Sequence, residues 1–319
     1  MADWHTLQID FQAMASPCRL LIDGDDAEAM EASARRCIEE IRRIEHKYSR
    51  YRADSVLSRI NAAAGIKTVA LDEETSALLD FAQGLWAMSE GLFDITSGVL
   101  RQAWDFRTGT PPDPQRIEAL LPLVGWRHVV RDRDAVGLST VGMELDFGGF
   151  GKEYAADRAA ALLIQDGFLN ALVNLGGDLH ATGPRGVGGH EGQPWWIDIQ
   201  HPRPRLSQGS DVLVAVPLYR GGLATSGDYE RFFIHDGKRY CHVLDPRSGW
   251  PVCDVQSVSV VGPSTAIAGA ISTIAMLKGT QAGDWLLQQN VDFCLVDSTG
   301  RRTTHKASAF PIVNPSSST

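Results

Sequence analysis

Two periods of apolar positions run along the chain. Between residues 30 and 48 the apolar side chains fall at Met30, Ala34, Cys37, Ile38, Ile41, Ile44 and Tyr48, the three-to-four spacing of one helix face. Asp25 and Asp26 precede it as helix-starting residues. The same period predicts a helix opened by Asp72 and Thr75, running to about Met88 and ended by Gly91. It predicts others over about 152–165, with Tyr154, Ala155, Ala159, Leu162 and Leu163 as the apolar side, over 265–278, and near 283–289. Alternating or short apolar runs predict strands at 6–13, 18–22, 171–174, 195–200, 212–217, 232–234, 255–261 and 293–296. Residues 136–146 can supply short strands, and Met14-Ala15-Ser16-Pro17 reads as a turn. Residues 105–116 and the glycine-rich 183–192 read as loops, and 311–319 as a frayed tail. Helices and strands mix without a regular βαβ rhythm, which predicts an α+β fold over a doubly wound parallel sheet. The expected organisation is one unit over 1–319 with two intimate lobes and no tandem repeat.

Composition narrows the function classes. With 44% hydrophobic and 22% charged residues among 319, the chain is globular with a sizeable core. A formal net charge of -9, with no basic run, argues against nucleic acid as partner. The densest basic stretch, Arg42, Arg43 and Lys47, is interleaved with Glu39, Glu40 and Glu45 and reads as a solvated helix face. Cys18, Cys37, Cys241, Cys253 and Cys294 are odd in number and widely spaced, which predicts reduced thiols in a cytoplasmic protein. The N-terminus shows no basic-then-apolar signal pattern, and no stretch of ~20 apolar residues predicts a membrane span.

Candidate chemistry concentrates in residues 224–251, expected to form part of an active site of a soluble enzyme. Thr225-Ser226-Gly227-Asp228-Tyr229 packs hydrogen-bonding groups together, but lacks the G-x-S-x-G elbow of a serine nucleophile. His242 precedes an Asp245-Pro246-Arg247-Ser248-Gly249 turn; it reads as a structural hydrogen-bonder or as a base held in place. Asp245 is most simply a turn residue, and Arg247 a phosphate contact or its ion-pair partner. Asp146-Phe-Gly-Gly-Phe-Gly-Lys152 is read as joining a strand to a helix. Its glycines and the helix N-terminus suit a phosphate, although it matches neither named nucleotide motif, and a plain glycine turn explains it as well. Asn174-Leu-Gly-Gly-Asp178 is a strand-end turn or a ligand contact. Thr273 is a metal or phosphate contact or a back-bonded helical threonine.

Taken together and in order, these runs resemble the ApbE family, the FAD:protein FMN transferases. The similarity runs from Met14 to about Gly279. It is carried by AMASP near Met14, SRYRADSVLSRIN (49–61), GLFDITSGVL (91–100), ELDFGGFGKEYAAD (144–157), VNLGGDLHATG (173–183), ATSGDYERFF (224–233), HVLDPRSGWP (242–251) and TAIAGAIST (265–273). The resemblance implies two related α/β lobes around a flavin cleft, similar to the T-fold. It implies that FAD is bound, that Mg²⁺ polarises its pyrophosphate, and that FMN passes to a threonine hydroxyl of an acceptor flavoprotein as AMP leaves. Met14 and Tyr51 would then line the FAD pocket. Gln102, Ala103 and Trp104, together with Asp146 and Lys152, would touch the cofactor, and Thr225 and Ser226 would lie in the cleft motif. His242 would activate the acceptor hydroxyl, a role an imidazole can fill near neutral pH.

The chain departs from the family pattern at one ligand. Where the resemblance implies an Mg²⁺-binding aspartate, this chain has Gly269, which leaves Thr273 and the Gly151 backbone carbonyl as the expected metal ligands. Glu153, where the family commonly has glycine, is the candidate replacement, or a solvated acid. Two alternatives to FMN transfer therefore stand: FAD binding without transfer, and hydrolysis of FAD to FMN and AMP. The absence of an export signal, common in relatives, again predicts the cytoplasm.

Overall fold

The computed structural model describes residues 4–187, 189–203 and 211–306. The predicted tail at 311–319 lies outside them. The elements are β1 (His5–Ala13), β2 (Ser16–Gly24), α1 (Ala27–Tyr48), α2 (Val56–Ala62), β3 (Val69–Ala70), α3 (Glu73–Met88), α4 (Pro114–Leu120), β4 (Val129–Asp132), β5 (Ala135–Leu138), α5 (Gly151–Gln165) and β6 (Ala171–Leu175). They continue with β7 (Asp178–Ala181), β8 (Trp195–Gln200), β9 (Val212–Leu218), β10 (Gly221–Gly227), β11 (Phe232–His235), β12 (Lys238–Cys241), β13 (Val255–Gly262), α6 (Thr265–Lys278), α7 (Ala282–Gln288), β14 (Asp292–Asp297) and β15 (Arg302–His305). A 3₁₀ segment covers Ile95–Gln102.

Eight strands form one sheet in the order β1-β2-β6-β7-β10-β13-β14-β15, every neighbouring pair antiparallel. This is the α+β class that the missing βαβ rhythm predicts. Side-chain alternation sorts the sheet into two faces. Leu20, Ile22, Val173, Ala224, Val258, Val260, Phe293 and Leu295 share a core with the apolar sides of α1, α5 and α6. Their neighbours Leu21, Leu172, Leu179, Leu223, Val261 and Cys294 pack on the other face with the β8–β9 ribbon. The predicted face of α1 is the observed one: Met30, Ala34, Cys37, Ile41, Ile44 and Tyr48 are buried.

Several boundaries differ from expectation. β1 and β2 are joined by only Met14 and Ala15, both left-handed (φ 54° and 55°), so β2 begins at Ser16, inside the predicted turn. Residues 139–146 are not strand: β5 ends at Leu138. Asp146 and its glycines therefore follow irregular chain and do not leave a strand, correcting the strand-to-helix reading. That stretch is held instead by side chains, with Asn61 Nδ2 donating to Leu145 O and its Oδ1 accepting from Leu145 N (3.1 and 2.7 Å).

Two helices fix the functional end of the sheet. Asp157 on α5 accepts from the first N–H groups of α6, Thr265 N (2.7 Å) and Ala266 N (2.9 Å), and pairs with His180 Nδ1 of β7 at 2.6 Å. Those N–H groups have no partner within their own helix, so the carboxylate satisfies them and meets the positive end of the α6 dipole. Behind this contact β10 and α6 approach so closely that a Cβ on Gly222 would lie 2.2 Å from Thr265 N. Gly222→Ala is therefore expected to destabilise by about 1–3 kcal/mol or more, because backbone, not a flexible side chain, must yield; urea unfolding of the two proteins measures it.

Candidate functional site

At the first turn of α5 the chain delivers Lys152 and Glu153 inward. Phe150 precedes the helix without a side-chain cap, and the Gly151 N–H is taken by Phe147 O at 2.7 Å. Lys152 Nζ reaches Asp178 Oδ2 at 2.8 Å and Gly176 O at 3.4 Å. Asp178 is presented by the β6–β7 hairpin, whose turn residues Gly176 and Gly177 have φ of 60° and 94° and whose Gly177 N–H is held by Asn174 Oδ1 at 2.9 Å. The turn is tight and buries Asp178, which also accepts from Thr225 N (3.3 Å) on β10.

The next residue on β10, Ser226, turns its hydroxyl to α6, within 2.8 Å of Ser272 Oγ and 3.0 Å of Thr273 Oγ1. Thr225 Oγ1 instead faces Ser259 Oγ at 2.8 Å. It is Ser272 that bonds back to its own helix, donating to Gly269 O at 2.9 Å; Thr273 keeps its hydroxyl toward Ser226, which corrects the back-bonded reading of Thr273. Glu153 is buried, and its Oε2 has no hydrogen-bond partner. Burial, then the Asp178 carboxylate, pushes the Glu153 carboxyl well up; burial likewise raises Asp178, opposed by Lys152. For Lys152 burial acts downward, but Asp178 and Glu153 outweigh it and the ammonium is held above its ordinary range.

His242 closes this group from the segment after β12. Its imidazole is pulled down to about 4, by burial first and then by the charges of Arg231 and, more weakly, Lys152. Nδ1 is buried without a partner, and a hydrogen bond with the Arg231 backbone acts upward on the ring but is outweighed. The ring is neutral at pH 7 and able to accept a proton. The following turn is as expected: Asp245 accepts from Arg247 N (2.8 Å) and pairs with the Arg247 guanidinium at 2.8 Å.

The other expected contact residues have partners of their own. Met14 sits in the hairpin turn, half-buried, its N–H held by Glu45 Oε1 at 2.7 Å. Asp146 pairs with Arg50, whose guanidinium also lies over the Tyr51 ring, and Tyr51 is 78% exposed. Gln102 is exposed and donates to Glu144 Oε1 at 2.7 Å. Ala103 and Trp104 are buried. The Trp104 indole donates to Gly249 O at 2.8 Å and packs among Phe106, Phe233, Tyr240 and Trp250, so it anchors the 242–251 segment. Gly151 begins α5. Sequence reasoning passes over Asp157 and Ser272, since a helix-to-helix clamp leaves no mark of spacing in the chain.

Comparison with known proteins bears on the fold and the family. The ApbE family profile matches residues 11–295. A Klebsiella pneumoniae FAD:protein FMN transferase is 31% identical over 307 residues, covering 95% of this chain and 92% of the relative. A Treponema pallidum protein of the same name is 33% identical over 252 residues, 75% of this chain and 69% of that one. Among solved structures, the ApbE protein of Thermotoga maritima superposes with a TM-score of 0.84 at 29% identity, covering 94% of this chain and 97% of that one. The apo flavinyl transferase ApbE of Pseudomonas stutzeri gives 0.82 at 29%, covering 95% and 96%. The chain belongs to the ApbE family.

A buried neutral histidine ties stability to pH. Its folded value lies below the ordinary 6.5, so its contribution is full above 6.5 and is lost as pH falls toward 4, where the unfolded chain takes up a proton that the fold refuses. Between pH 7 and pH 5 the loss is about 2 kcal/mol from this group. Chemical unfolding of His242→Gln is expected to fall by that much less over the same interval.

Proposed function

We propose that the protein is a FAD:protein FMN transferase that moves FMN from FAD to a threonine hydroxyl of an acceptor flavoprotein and releases AMP. The observation that carries the reading is the convergence of an ammonium fixed by Asp178 at a helix start without a side-chain cap, the nearby hydroxyls, and a neutral imidazole that feels the Lys152 charge, within a chain whose relatives bear that name.

In this reading Lys152 and the α5 N-terminus receive the pyrophosphate of FAD, where a full charge and a helix dipole both favour an anion. Asp178 keeps Lys152 extended into the cleft and protonated. His242 takes the proton of the acceptor hydroxyl as its oxygen forms a bond to the FMN phosphorus. The bond from that phosphorus to the bridging oxygen breaks, and AMP leaves with the electron pair. The residues fit a hard cation: the Glu153 carboxylate with an unpartnered oxygen, the Thr273 hydroxyl, and the Gly151 carbonyl would hold Mg²⁺. When bound, the ion offsets the charge that builds on the pyrophosphate oxygens.

Incubation with FAD, Mg²⁺ and a threonine-bearing acceptor domain is expected to give an acceptor heavier by covalent FMN, with AMP in equal amount. FMN and AMP without labelled protein would replace transfer by hydrolysis, and bound FAD with neither product would sink both. His242→Ala is expected to lower kcat by about 10²–10⁴-fold, the usual worth of a general base. In the wild type the acid limb of kcat/KM is expected near 4, the value to which burial lowers the ring; a limb near 6.5 would show an imidazole that is not depressed, and a limb that persists in His242→Ala would show that another group is the base.

A further inference from the structure

Among the described residues, Glu153 is the buried acid whose carboxylate has an oxygen with no hydrogen-bond partner. Its neighbour across the helix interface is Gly269. A Cβ built on Gly269 would lie 2.7 Å from Glu153 Cγ, 2.9 Å from Oε1 and 3.1 Å from Cδ. The Glu153 carboxylate therefore fills the volume in which a side chain on residue 269 would begin.

The helix register explains why. Asp157 meets the α6 start at Thr265, and Glu153 meets Gly269. One step back by four residues on α5 is matched by one step forward by four on α6, so the helices run antiparallel and successive turns face each other. One turn further along α6 is Thr273, already bonded to Ser226. The direct ion pair of Lys152 is with Asp178, so Glu153 feels the ammonium only through space and lies against the Asp178 carboxylate, with Oε2 still unpartnered.

The geometry points to a transposed metal ligand: Glu153, on α5, supplies the carboxylate of a divalent-cation site that it shares with the Thr273 hydroxyl, and Gly269 is glycine because that carboxylate occupies its side-chain space. The inference rests on the reading of the cleft as a pyrophosphate site. A hard cation of the Mg²⁺ or Mn²⁺ class takes carboxylate and hydroxyl oxygen and completes its shell with water and phosphate. A merely structural Glu153 would be a protonated acid, for which glutamine is a close substitute.

The test measures Mn²⁺ binding to the FAD-saturated protein by electron paramagnetic resonance of the free ion, alongside FAD affinity and melting temperature. Wild type is expected to bind one Mn²⁺ per chain, and Glu153→Gln to weaken it by roughly tenfold or more, as loss of a charged oxygen ligand should. Gly269→Asp alone is expected to melt lower without tighter binding, since its Cβ meets Glu153. The reciprocal variant Glu153→Gly/Gly269→Asp, which moves the acid to the other helix, is expected to recover Mn²⁺ binding. Unchanged Mn²⁺ affinity in Glu153→Gln, or a folded, FAD-binding reciprocal variant as weak as Glu153→Gln, overturns the inference. If Glu153→Gln loses FAD, the reciprocal variant decides alone. Wild-type Mn²⁺ binding that depends on Glu153 but accompanies no acceptor labelling would refute the transferase and leave this site standing; labelling with Glu153-independent Mn²⁺ binding would do the reverse.

Discussion

The arrangement depends on one carboxylate. Asp157 lies on α5, accepts from the first two N–H groups of α6 and pairs with His180 on β7. Burial acts against its ionised form, yet these partners hold it below the ordinary carboxylate range. A charged acceptor at a helix start is strong because it meets both unpaired donors and the helix dipole. By pinning Thr265 it sets which residues of α6 face which residues of α5 over the following turns. The small side chains of both helices, Ala155, Ala156, Ala159, Ala160, Ala266, Ala268 and Ala270, all buried, allow the approach that this clamp demands.

That register brings like charges together. Glu153 and Asp178 share a buried region with one ammonium between them. In low dielectric such a trio is costly unless each charge is paired and hydrogen-bonded. Lys152 serves Asp178, the turn glycines supply a carbonyl to Lys152, and the Thr225 N–H serves Asp178. One oxygen of Glu153, Oε2, remains the exception. Unsatisfied polar groups of this kind concentrate where a protein meets a ligand, because what completes them arrives from outside.

The long elements were legible in the sequence because burial leaves a periodic trace: α1, α3, α5 and α6 announce themselves through their apolar faces, and β2, β6 and β13 through short apolar runs. The short helix at 56–62 and the 3₁₀ segment at 95–102 left too few turns to read. β10, GGLATSG, has glycine where strands usually carry branched side chains, and it is a strand because its neighbours β7 and β13 pair with it. The motifs identified the family and marked Lys152, Ser226, His242 and Thr273 individually. What they did not contain was contact: that Asp178 holds Lys152, that Trp104 is spent on the 249 carbonyl, or that Glu153 lies against Gly269. Such pairings follow from tertiary register, which no local pattern encodes.

The Glu153–Gly269 contact also constrains how such a site can change over generations. The two positions exclude each other: with Glu153 in place, even one carbon on residue 269 is crowded. A chain that carries both acids at once therefore does so at a cost in stability. On the proposed assignment, glycine at 269 records which helix holds the charge.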